Sequence, residues 1–94
     1  MVHVKLFGHL RENCGEILEF NDLCIENNLV NLSDILLILR KKCEELSSVI
    51  DENGNLRPGY LLFIDGTDYL LLGGKNAKIS CNSSIDLVPY THGG

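Results

Sequence analysis

Only one stretch of this chain carries helical periodicity, and that restricts the folds open to it more than any other feature. Ser33 is an expected N-cap, because its hydroxyl can accept a first-turn backbone N–H, and Asp34 suits the positive end of the helix dipole. Ile35, Leu36, Leu39, Cys43, Leu46 and Ile50 then follow at three- and four-residue spacing, which puts them on one stripe. Arg40, Lys41, Glu44 and Glu45 fall off that stripe, and Leu37 lies nearly opposite it with no partner that the pattern supplies. A single amphipathic helix needs a second layer to bury its stripe, and the rest of the chain offers strands for it.

The strand signals are short and separated by turns. Val2 to Phe7 alternates with period two, so Val2, Val4 and Leu6 are expected inward and His3 and Lys5 outward. Gly8 ends the run, a loop through Arg11 to Gly15 follows, and Glu16 to Phe20 reads as the second arm of a hairpin. Beyond the helix, Asp51 to Gly59 is rich in turn residues. Tyr60 to Ile64 and Tyr69 to Leu72 read as strands joined by a tight Asp65-Gly66-Thr67-Asp68 turn, and Ile85 to Tyr90 is the last strand. The order predicts a single α+β domain over residues 1–94, one main helix on a mixed sheet of four to five strands. That is the β-grasp, or ubiquitin-like, arrangement, with a flexible tail at 91–94.

One helix covers one face of a sheet. Because Tyr60 to Ile64 and Tyr69 to Leu72 are apolar at every position, apolar groups are expected on the second face too, as a docking surface, under a covering loop or in a contact between copies of the chain. Tyr60, Leu62, Val88 and Tyr90 are the candidates for that exposed face.

With 94 residues there is room for one core and little for a walled catalytic pocket. Thirteen acidic against eight basic residues give a net charge of −5, which argues against direct nucleic-acid binding. Met1 to Lys5 lacks the apolar core of a signal peptide, and the Ile35-to-Leu39 run is too short to span a bilayer. Cys14, Cys24, Cys43 and Cys81 form no C-x-x-C pair and have no histidine at metal-ligand spacing. They are therefore expected reduced in a cytoplasmic protein, with Cys43 a small core residue and no bound metal. His3 and His9 read as surface residues, and the internal Gly73-Gly74 pair as a strand-ending turn.

The chemistry-bearing feature is Gly93-Gly94 at the end of the sequence. At background glycine usage near 7%, a chance pair there is roughly a one-in-200 event. Glycine has no Cβ, so such a tail can enter a narrow cleft and bring its carboxylate to the α-phosphate of ATP.

Leu56-Arg57-Pro58-Gly59-Tyr60-Leu61, Ile64, Tyr69, Leu71-Leu72-Gly73 and Thr91-His92-Gly93-Gly94 together resemble the eukaryotic ubiquitin-related modifier family of sulfur carriers. The opening, Val4 to Gly8 and Leu10-Arg11-Glu12, is closer to the molybdopterin-synthase small subunit. The chain departs from the family pattern at Thr91, where leucine is usual, and at Tyr69, often tryptophan. Asn76, Cys81 and Ser83 stand where acidic residues are common.

The resemblance implies that an E1-like enzyme adenylates Gly94 with ATP and replaces AMP by persulfide sulfur. The resulting thiocarboxylate would supply a tRNA thiolase complex that modifies the wobble uridine of cytosolic tRNA. The same terminus would form isopeptide bonds with lysines of target proteins. On this reading the protein is a co-substrate, not an enzyme, and binds no cofactor, nucleic acid or membrane itself. Gly93 gives the tail clearance, and His92 and Arg57 are candidate partner contacts. The alternative reading is the sulfur-carrier subunit of molybdopterin synthase. A third is a ubiquitin-like binding module whose glycines carry no chemistry.

Overall fold

The alternation at the start of the chain becomes β1, Val2–Leu6, whose residues are buried and exposed in strict turn. Its inward side chains, Val2, Val4 and Leu6, are wholly removed from solvent. The computed structural model of the chain describes residues 1–20 and 29–90. β1 is followed by a short helix α1 (His9–Cys14), β2 (Ile17–Phe20), β3 (Val30–Asn31) and the main helix α2 (Leu32–Lys42). A 3-10 turn at Glu44–Ser48 continues from α2. Then come β4 (Tyr60–Ile64), β5 (Thr67–Asp68), 3-10 turns at Tyr69–Leu72 and Gly74–Asn76, β6 (Lys78–Ile79) and β7 (Ser84–Pro89).

The main sheet has the order β2-β1-β7-β4-β5, with β1 and β7 parallel and the other pairs antiparallel. This is the mixed sheet with one main helix that the strand order predicts. β3 and β6 form a separate two-stranded ribbon beside α2. Ile35, Leu36 and Leu39 of α2, with Leu46 and Ile50 just beyond it, close the core against Leu62, Ile64, Ile85 and Leu87 of the sheet. The expected stripe is thus the buried one, although its last members lie past the end of the helix. Leu37 is half-buried.

Four local expectations need correction. The first two strands pair antiparallel, but α1 joins them in place of a loop. Tyr69–Leu72 is a 3-10 turn, not a strand, and the strand that pairs with β4 is Thr67–Asp68, where a tight turn was expected. The Asp68 carboxylate accepts the Leu70 N–H at 2.9 Å, which turns the chain out of the sheet. The N-cap of α2 is Asn31, two residues before Ser33. Finally, Cys14 and Cys43 are not reduced: they form a disulfide across 29 residues, with Cα atoms 5.9 Å apart. Cys43 packs at the edge of the core rather than within it. Cys81 is also disulfide-bonded, and its sulfur accepts from the N-terminal ammonium at 3.4 Å.

Candidate functional site

β7 carries the chain to its C-terminal tail, and it is a central strand bonded to β1 on one side and β4 on the other. Gly94 lies four residues past Tyr90 in the sequence. Thr91, His92, Gly93 and Gly94 lie outside the described residues, so the site can be described up to Tyr90.

Three segments surround that root. The Phe7 N–H donates to the Leu87 carbonyl at 3.2 Å, which carries the β1–β7 ladder to its end. Gly8 follows with φ 59°, and a Cβ built on it would stand 3.0 Å from Pro89 Cγ. A side chain at Gly8 would therefore be strained in backbone and crowded against the last residue of β7. On the other side the Tyr90 N–H donates to the Gly59 carbonyl at 3.1 Å. Gly59 is in the left-handed region at φ 99°, and the Arg57-Pro58-Gly59 turn directs that carbonyl at Tyr90.

Arg57 is occupied in holding the same turn. Its backbone N–H donates to Val49 O at 2.7 Å and its Nε to Ser47 O at 3.1 Å. Sequence reasoning places it as a candidate partner contact; in the fold it anchors the turn that holds Tyr90. The His9 ring stands edge-on to Tyr60, 6.2 Å between centroids at 63°, where α1 approaches the root.

The exposed-face assignment is half wrong. Leu62 is 1% exposed and pairs with Leu87 on the core side. Tyr60, two residues earlier, shares that side and packs partly against the core. Val88 pairs instead with Leu61, and Phe63 with Asp86, on the face away from α2. Successive strand residues point to opposite faces, so shifting the assignment by one residue reverses it for the whole strand. Apolar composition alone could not choose, since Tyr60 to Ile64 is apolar throughout.

The open face therefore carries Phe7, Ile17, Leu61, Phe63, Val88 and Tyr90. Ile17 is 50% and Tyr90 54% exposed. Lys5 lies 5.2 Å above the Phe7 ring, a cation on an aromatic face. At the β2 end, His3 Nδ1 stands 3.1 Å from Glu19 Oε1, an exposed cross-strand pair that the sequence reading did not supply. Among the described residues no three His, Cys, Asp or Glu side chains gather to hold a metal ion. No described helix is long and apolar enough to cross a membrane.

A small mixed sheet with one main helix and its last strand in a central place is a shape shared with known proteins. The family model described as Urm1 (Ubiquitin related modifier) matches residues 2–94. The chain belongs to the ubiquitin-related modifier family. A ubiquitin-related modifier 1 homolog of Dictyostelium discoideum is 30% identical over 99 residues, covering 99% of this chain and 98% of the relative.

Among solved structures, one similar chain is the small archaeal modifier protein 1 of Methanosarcina acetivorans. Its TM-score is 0.73 at 24% identity, covering 99% of this chain and 95% of that one. Another is in the Amycolatopsis orientalis BexX/CysO complex, with TM-score 0.76 at 16% identity and full coverage of both chains. At these identities the structures establish the ubiquitin-like β-grasp fold.

Two features at the root of this modifier's tail were not read from its sequence: the Gly59 carbonyl that receives Tyr90, and the approach of α1. Arg57-Pro58-Gly59 did carry a signal for the first, as a turn placed just before the strand that pairs with β7. Nothing in the spacing pointed to the second.

Proposed function

We propose that this chain is a sulfur carrier whose Gly94 carboxylate is adenylated by an E1-like enzyme and converted to a thiocarboxylate. One observation carries the reading. The central strand of the sheet feeds directly into the tail, and its exit is clasped by the Tyr90–Gly59 hydrogen bond. The tail is thus anchored at its base and ends in two residues without side chains. At about 3.5 Å per extended residue, four residues beyond Tyr90 reach about 14 Å, enough to enter a cleft while the domain docks outside.

The chemistry needs no group from the domain. The carboxylate oxygen attacks the α-phosphate of ATP and pyrophosphate leaves. The acyl adenylate then loses AMP to the outer sulfur of an enzyme persulfide. A second enzyme thiol attacks the inner sulfur of the resulting acyl disulfide, releasing the thiocarboxylate and leaving an enzyme disulfide. ATP is consumed on the enzyme, and the open sheet face supplies a surface on which such an enzyme can dock. Sulfur then replaces the C2 oxygen of the wobble uridine in cytosolic tRNA on a thiolase complex, that oxygen leaving with AMP after activation by a second ATP. The net charge of −5 favours that complex, rather than this chain, as the tRNA contact. Conjugation to lysines of other proteins is the second outcome of the same activated terminus, and the cytoplasm is the place for both.

Intact mass spectrometry after incubation with ATP, an E1-like enzyme and a sulfur donor tests this. The wild type gains the mass difference between sulfur and oxygen, and the variant lacking Gly94 does not. No gain in the wild type rejects the carrier reading and leaves a binding module. In cells, deleting Gly94 should abolish tRNA thiolation. Loss of molybdenum cofactor with thiolation intact would transfer the assignment to the molybdopterin-synthase subunit.

A further inference from the structure

We propose that Cys14 and Cys43 form a reversible redox latch that fixes α1 against the root of the tail. Helix α1 has six residues, is bracketed by Gly8 at φ 59° and Gly15 at φ 91°, and has no side-chain cap at its start. A helix this short does not hold itself together in water and depends on its attachments. Among its side chains, two attach it inward: Leu10, wholly buried in the core, and Cys14, bonded to Cys43 immediately after α2. Its opposite end is at the tail root, with Gly8 beside Pro89 and the His9 ring on Tyr60. At 1.5 Å per residue the helix spans about 9 Å, so one rigid element connects the disulfide to the root.

The placement suits a bond that opens without unfolding the domain. Both cysteines sit half-buried at the edge of the core. The fully buried cluster of Val4, Leu6, Leu36, Leu39, Leu62 and Leu87 contains neither. Reduction therefore releases α1 locally while sheet and α2 persist.

In the closing step the two thiols give two electrons and two protons to a low-molecular-weight disulfide such as oxidised glutathione. That molecule leaves as two thiols and the Cys14–Cys43 bond forms; opening is the reverse exchange. Cytoplasmic proteins are ordinarily kept reduced, so in that compartment the pair closes when the thiol pool is oxidised. The closed form orders the root, and an ordered root docks its tail at lower entropic cost. That consequence for activation rests on the sulfur-carrier reading; the latch itself does not.

The test is hydrogen exchange and amide NMR on the full chain equilibrated across ratios of reduced to oxidised glutathione. As the ratio moves to reducing, exchange at the His9–Cys14 amides should rise at least tenfold in one transition. The Tyr60 and Tyr90 resonances should shift with it, and α2 protection should stay unchanged. The C14S/C43S variant should show the open-state pattern at every ratio, with Cys81 left as it is. Protection at α1 that ignores the ratio in the wild type overturns the latch, and so does loss of α2 protection in step with α1. Because this readout needs no activating enzyme, a chain that switches but never gains sulfur rejects the proposed function alone. A chain that gains sulfur but does not switch rejects the latch alone.

Discussion

The two faces of the sheet share strands, and their strands read alike in the sequence, yet they do different work. On one face Val2, Val4, Leu6, Leu62, Ile64, Ile85 and Leu87 are all sealed by α2 and its continuation. On the other, Leu61, Phe63 and Val88 are only half-buried, and Lys5, Ile17 and Tyr90 are exposed. Leu61 and Leu62 are identical and adjacent, so hydrophobicity cannot be what distinguishes them. The register to β7 does: Leu62 pairs with Leu87, which is core, and Leu61 with Val88, which is not. The core face stabilises the domain, and the opposite face leaves apolar groups at the surface.

The sharpest way to break that contrast is to truncate both leucines. Leu62→Ala should lose about 2–5 kcal/mol of unfolding free energy, the range for emptying a packed leucine site. Urea denaturation measures it. Gly8→Ala comes next, at about 1–3 kcal/mol for a side chain forced into the left-handed region. Its amide shifts should spread to Pro89 and Tyr90 but not to the β5 edge. Leu61→Ala should cost clearly less than Leu62→Ala, because its side chain is only partly buried and leaves no sealed cavity. If it costs as much as Leu62→Ala, the two faces are not as different as the register implies.

The smallest effect is electrostatic and belongs to neither face. Hydrogen bonds from the Asn55 and Asn53 backbone hold the Asp51 carboxyl below the ordinary aspartate value, with Asn55 the larger contributor. Its contribution is full above the ordinary carboxylate value and is lost as the pH falls below that value through the lowered one. Denaturation midpoints between pH 5 and pH 2 should therefore fall less steeply in Asp51→Asn than in the wild type. At Tyr69 the shift runs the other way, since burial and then the Asp68 charge push the phenol up. It remains protonated at neutral pH.

What the sequence made legible follows from the length of each signal. β1 has five residues in strict alternation, and the α2 stripe recurs over several turns, so both stand out. The start of α2 was misplaced because its donors are met from outside. The Leu32 N–H donates to Ala77 O at 2.8 Å, while the Asn31 side chain receives Lys78 Nζ at 2.7 Å instead of capping. Helix α1 is less than two turns long, too short for a periodic pattern to register. A disulfide joining residues 29 apart has no local signature at all. At the site the contrast is similar. The terminal glycines announced themselves by composition, whereas the clasp at their base depends on where the Gly59 carbonyl points. The exposed Leu70, Leu71 and Leu72 were misread as a strand because run length, not the Asp68 cap, dominated the pattern.

The central place of β7 has a mechanical consequence. Any machine that grips this protein by its tail pulls along a strand bonded on both sides, to β1 in parallel and to β4 in antiparallel. Force then loads two ladders in shear together rather than peeling one rung after another from an edge. A domain built this way yields to a pull on its last strand less readily than one pulled by an edge strand.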